Sequence, residues 1–252
     1  MVDSADMEKP RPKVLMARQS SCPGVGRLAI LATTVAICLG LVGSTVAQKA
    51  PQEPEDRQRW DRKYDGPDYV YGTEPSRFLA EQIHLLPAAG RALDLAAGEG
   101  RNAVFLARRG LMVDAIDIST VGLAKAEMLA ADHGVEIQTI AADLEHFSLP
   151  REAYDVVVVF NYLQRDLFED IEAALKPGGV LVFETYTVAH LEIPGAHRMS
   201  RKYCLETGEL QSAFAGLEVL EYRETVDEDR AVASLVAAKP TASVQGSGVT
   251  VD

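Results

Sequence analysis

The chain has 252 residues and a formal net charge of −12, a length that suits one domain with appendages. The charge is uneven: residues 1–50 carry six Lys or Arg against three acids, so the body is more acidic than the whole. Such a body repels phosphate backbones, which sets nucleic acid aside as a partner. Cys22, Cys38 and Cys204 supply no disulfide framework or Cys–His spacing, and His84, His133, His146, His190 and His197 are scattered, so no metal site is expected.

Residues 1–27 are polar, basic and Pro-containing and read as a disordered N-terminus. Leu28 to Ala47 holds no charged residue. About 20 apolar residues suffice to cross a bilayer, and the same stretch, with Thr45-Val-Ala47 as a small-x-small site, also fits a cleaved signal. Membrane anchoring through 28–47 and export both stay open, as does a start site placed too far upstream. The basic flank predicts an exported body, whereas use of a nucleoside cofactor requires a cytoplasmic one. Residues 48–59, with Pro51 and Pro54, read as a linker, and 60–240 as the domain. Trp60 to Leu79 is rich in aromatic and turn residues and suits a cap, either over a site or over one sheet edge.

From Arg91 the pattern is regular. Strands are expected at 91–95, 112–117, 135–140, 154–160 and 180–184, and again at 217–223 and 231–238. Helices are expected over 76–86, 100–109, 119–133, 166–175 and 209–214, with Ser119 as an N-cap and Lys176-Pro-Gly-Gly179 as a turn. Strand alternating with helix indicates a doubly wound, mostly parallel α/β sheet, and the last two strands, with only Thr225 to Arg230 between them, form an antiparallel hairpin. The tail 241–252 is expected to be disordered. In Arg91-Ala-Leu-Asp-Leu-Ala-Ala-Gly-Glu-Gly-Arg-Asn a buried strand breaks into small residues and then a helix, a geometry that turns backbone N–H groups toward a ligand. Asp94 and Asp117 stand at successive strand tips, where an acid can hold a nucleoside.

In this order and spacing the residues resemble a class I S-adenosylmethionine-dependent methyltransferase with a Rossmann-like fold of seven strands. The family's acid-x-Gly-x-Gly-x-Gly stands here as Asp94-Leu-Ala96-Ala-Gly98-Glu-Gly100, with Ala96 replacing the first glycine. The resemblance implies that Asp117 takes the ribose hydroxyls and that Asp143, in Ala142-Asp143-Leu144, faces the adenine. It adds Tyr64, Asn102, Ile118, Leu144 and Phe160 to the cofactor contacts. Gly98-Glu-Gly-Arg101-Asn102 with Phe105-Leu-Ala107, and Gly208-Glu-Leu210 with Phe214 and Tyr222-Arg-Glu224, are similar to the tellurite-resistance methyltransferase group. Phe160-Asn161-Tyr162-Leu163 is not the Asn-Pro-Pro-Tyr of amino-group methyltransferases, and no Pro-Cys pair follows strand four. A small molecule or soft oxyanion, such as tellurite, selenite or a thiol, is the expected acceptor. Tyr162, Arg165, Glu184 and Tyr186 are the candidate catalytic residues, with Arg198 beside them. Methyl transfer is an in-line displacement that needs alignment and exclusion of water rather than a protein nucleophile. Two alternatives remain: an NAD-type oxidoreductase, against which Ala103 stands where Gly-x-Gly-x-x-Gly needs glycine, and a membrane-tethered nucleoside-binding module without turnover. The oligomeric state has no signature in the sequence.

Overall fold

Periodicity of two in the central strands decides the architecture. In β1 (Gly90–Leu95) and β4 (Tyr154–Phe160), Leu93, Leu95, Val157 and Val159 join one buried cluster, and Ala92, Val156, Val158 and Phe160 join another. Both faces are therefore apolar, as a strand covered on two sides requires. The computed structural model describes residues 55–241, so the expectations for 1–27, 28–47 and the end of the tail fall outside the described residues.

The described residues form a seven-stranded sheet in the order β3-β2-β1-β4-β5-β7-β6. Its other members are β2 (Leu111–Asp117), β3 (Gln138–Ala141), β5 (Leu175–Tyr186), β6 (Glu218–Val226) and β7 (Ala231–Ala238). β1 to β5 pair in parallel, and β7 runs antiparallel between β5 and β6. Phe78 and Leu79 of α2 (Arg77–Gln82), Ala103 and Leu106 of α3 (Arg101–Arg108) and Leu123 of α4 (Thr120–Asp132) cover one face. Ile171 of α5 (Phe168–Ala174), Leu210 of α6 (Glu209–Ala213) and neighbouring Phe214 cover the other. α1 (Glu55–Tyr64) packs against α4. No helix among the described residues is long and apolar enough to cross a membrane.

Three local expectations change. The linker expected over 48–59 gives way at Glu55, where α1 begins with Glu55 and Asp56 in its first turn and Arg62 and Lys63 in its last, a charge order that suits the helix dipole. β3 starts at Gln138 rather than 135, because Val135 packs instead with Val104 and Leu129. Lys176-Pro-Gly-Gly179 bends within β5, where the register against β4 shifts between Tyr154 and Val156 and Gly178 adopts φ 80. Chain order runs from β1 outward to β3 and then back to β4, so the sheet's switch point lies between β1 and β4. A crevice beyond the carboxyl ends of those strands is the place for a ligand.

Candidate functional site

Beyond β1 the backbone turns through positive φ at Ala96 (56°), Gly98 (55°) and Gly100 (81°). Ala96, where the resembled motif has glycine, adopts the left-handed conformation that costs an L-residue about 1–2 kcal/mol. A Cβ at Gly100 would lie 2.4 Å from the Ala126 Cβ and 2.9 Å from its Cα, so α3 begins where only glycine lets it pass α4. A Cβ at Gly98 would sit 2.8 Å from the Tyr64 hydroxyl oxygen.

Asp117 ties this turn to the next strand tip. Its Oδ2 accepts the Gly98 N–H at 2.8 Å and its Oδ1 the Ser119 N–H at 2.8 Å. Burial raises its pKa, and those two donors oppose the rise. Ser119 caps α4 as expected, accepting the Gly122 N–H at 3.0 Å, and donates its hydroxyl to Asp61 of α1 at 2.6 Å. Asp94 is only 1% exposed, and its Oδ2 is buried without a hydrogen-bond partner. Burial pushes its pKa up to about 7 against the backbone N–H of Ala103, and the Asp117 charge adds to the rise.

The three side chains between and after the glycines grip the aromatic segment ahead of α2. Glu99, 4% exposed, accepts the Val70 N–H at 2.7 Å and pairs with Lys125 at 2.8 Å, while Lys125 also donates to the Asp68 carbonyl at 2.7 Å. Arg101 donates to the Tyr71 carbonyl at 3.0 Å, and Asn102 accepts the Ser76 N–H at 2.8 Å. Tyr71 of that segment, with Trp60 and Tyr64 of α1, lines a cavity of about 520 Å³, well within the range of small-molecule sites.

The cavity opens at the switch point. Of the residues expected at a cofactor, Tyr64, Ala96, Gly98, Asn102, Asp117, Ile118, Asp143, Leu144 and Phe160 line it. Asp94 and Gly100 do not line it: Asp94 lies beneath the turn and Gly100 is spent on the α3–α4 approach. Of the residues expected at the acceptor, Tyr162 and Tyr186 line the cavity. Arg165 and Glu184 do not. Arg165 is occupied by Glu209 (2.5 and 2.8 Å) and the carbonyls of Lys202 and Cys204, and Glu184, 5% exposed, by Arg230 at 2.6 Å and Ser234 at 2.8 Å. Arg198 is exposed and outside the lining.

The far wall joins Tyr186 to residues that the sequence did not single out as functional, His190, His197, Met199 and Tyr203. The rings of Tyr186, His190 and His197 meet in a triangle with centroid separations of 4.6, 5.1 and 4.8 Å. Tyr186 and His197 line the cavity together with Met199 and Tyr203. His190 is 1% exposed; its Nε2 lies 3.2 Å from the His197 carbonyl oxygen, and its Nδ1 is buried without a partner. Burial, then His190, then Lys63 lower the His197 pKa, whereas burial raises that of Tyr186. Among the described residues no group of three or more His, Cys, Asp or Glu could hold a metal.

Residues 92–179 match the family model described as a methyltransferase domain. Over that stretch the chain is similar to S-adenosylmethionine-dependent methyltransferases. It is 31% identical over 144 residues to hemagglutinin 1 of Eikenella corrodens, covering 54% of this chain and 46% of that protein. It is 33% identical over 123 residues to a ubiquinone biosynthesis O-methyltransferase of Burkholderia orbicola, covering 46% and 53%. The chain thus spans about half the length of these relatives. The solved structure of TehB from Haemophilus influenzae superposes with a TM-score of 0.54 at 20% identity, covering 73% of this chain and 66% of that one, a likeness of fold. The Rossmann-like methyltransferase fold with its antiparallel terminal strands is the one expected.

Proposed function

We propose that this protein transfers a methyl group from S-adenosylmethionine to a small-molecule acceptor held under the aromatic cap. The observation that carries the reading is the Asp117 carboxylate, which lines the cavity and is fixed by the Gly98 and Ser119 N–H groups. Anchored on its backbone side, that carboxylate keeps lone pairs for two vicinal hydroxyls of a ribose. The rest of the donor set fits the cofactor as well. Arg101 lines the cavity and supplies a cation for the carboxylate of an amino-acid end. Asp143, Leu144 and Phe160 line the part of the cavity left for a purine.

When bound, the cofactor supplies an electrophilic methyl on a sulfonium. The protein's part is to align the acceptor with it and keep water out. Tyr64 and Trp60, stacked at 5.6 Å, roof the nucleoside half, and Tyr162, donating to Gln164 at 2.5 Å, marks the passage to the acceptor half. The acceptors expected from the tellurite-group motif are soft oxyanions or thiols, and that resemblance rests on Gly98, Gly100, Arg101 and Asn102, the last two of which hold the cap. The proposed cytoplasmic placement follows from where the cofactor is made.

The test is calorimetric titration of the full chain with S-adenosylmethionine and with NAD, followed by labelled methyl transfer to tellurite, selenite and small thiols. Micromolar binding of the first and none of the second is expected, and heat from NAD alone would overturn the reading.

A further inference from the structure

The proposed function leaves the acceptor's chemistry open, and the far wall of the cavity narrows it. Next to the methyl-donor half stand an imidazole, a phenol and two further apolar or aromatic side chains: His197, Tyr186, Met199 and Tyr203 all line the cavity. A soft oxyanion offers the lone pair of its central atom, which needs no base, and has no ring to stack. A wall of rings around an imidazole suits a flat acceptor with an ionisable hydroxyl. We propose that the acceptor is a phenolic hydroxyl compound and that His197 is the catalytic residue that takes its proton, with His190 as the residue that positions it.

Three features support this. First, His197 borders the cavity yet is itself exposed, so a proton received from the acceptor has a route to solvent. Second, its ring is fixed from two sides, by Tyr186 at 5.1 Å and His190 at 4.8 Å, and the His190 Nε2 holds the His197 carbonyl at 3.2 Å. A buried imidazole clamped to the backbone of a loop residue fixes where that residue's ring can sit. Third, the surroundings of His197 favour its neutral form: burial, then His190 in the loop after β5, then Lys63 of α1 lower its pKa. Tyr186 at the end of β5, its own proton held by burial, stays a donor to the oxygen as negative charge builds there.

The step balances. The acceptor oxygen forms the new bond to the methyl carbon as the methyl–sulfur bond breaks and its electron pair stays on sulfur. The hydroxyl proton passes to an imidazole nitrogen of His197 and then to water.

This inference rests on the proposed function, and the experiment separates the two. The full chain is saturated with S-adenosylhomocysteine, so that no turnover occurs, and titrated with para-nitrophenol, whose ionised form absorbs in the visible. The expected result is a bound phenolate band that persists at least tenfold further into acid than for the free phenol, about one pH unit. In His197→Gln the band should return to the free-phenol profile with S-adenosylhomocysteine affinity within twofold, which also reports that the fold is intact. His190→Phe should move the ionisation partway. Failure to bind S-adenosylhomocysteine overturns the proposed function itself. Binding of it without the phenol, binding of the phenol only in neutral form, or a band unchanged in His197→Gln each overturn this inference alone.

Discussion

Gly100→Ala against Gly134→Ala isolates the steric reason for the turn. Both glycines have left-handed backbones, φ 81 and 67, so each alanine incurs the same cost of about 1–2 kcal/mol and the same offset from a stiffer unfolded chain. They differ in surroundings. A Cβ at Gly134 meets nothing within 4 Å, whereas one at Gly100 meets the Ala126 Cβ at 2.4 Å and Cα at 2.9 Å. Ala126 is fully buried inside α4, so backbone must move, and overpacking of that kind costs about 1–3 kcal/mol. Gly100→Ala should therefore lose about 2–5 kcal/mol and Gly134→Ala about 1–2. The measurement is urea unfolding followed by circular dichroism, with an unchanged slope in both variants. A domain of this size should lose about 2–4 °C in Tm for each kcal/mol. Equal midpoints for the two variants would refute the close approach of α3 and α4 as the reason for glycine.

Asp117→Ala should weaken S-adenosylhomocysteine binding by about 1.5–3 kcal/mol, roughly 10- to 150-fold, in calorimetric titration; an unchanged dissociation constant removes Asp117 from the site. The pKa of Asp94 is raised by folding to about 7. Its contribution to stability is thus full below the unfolded carboxylate pKa and lost as pH rises toward 7. Asp94→Asn should flatten the fall in unfolding free energy between pH 4 and 7, and an identical pH profile would contradict it. Glu99→Ala strips the Val70 N–H and the Lys125 ammonium of their acceptor. It should cost about 2–4 kcal/mol and speed proteolysis between residues 65 and 76, read by mass spectrometry. Arg165→Ala, by contrast, should lower Tm by a few degrees while leaving S-adenosylhomocysteine affinity as it was, because its partners are Glu209 and two carbonyls outside the cavity.

Where local pattern carries the information, sequence and structure agree. The alternation in β1, β2 and β4, the Ser119 cap and the hairpin of β6 and β7 follow from residue type over a few positions. Elements whose limits depend on distant packing were less legible, such as α1, held by Asp61 to Ser119 and by Arg57 to the Ile118 carbonyl. The same holds within the site. Asp117 is marked by its strand, but Glu184 and Arg165 read as free loop-end groups because their partners lie 46 and 44 residues away. His190 and His197 carry no spacing signal at all; only the path of the loop after β5 brings their rings together.

The grip of Glu99, Arg101 and Asn102 on residues 70–76 has a consequence for how the protein senses its own occupancy. Because roof and floor share these bonds, the segment cannot lift without loosening the backbone amides of the glycine turn. Opening and closing should then be a single cooperative event. Amide hydrogen exchange at Val70, Ser76, Gly98 and Gly100 should slow in concert when a nucleoside enters, as one latch rather than two independent doors.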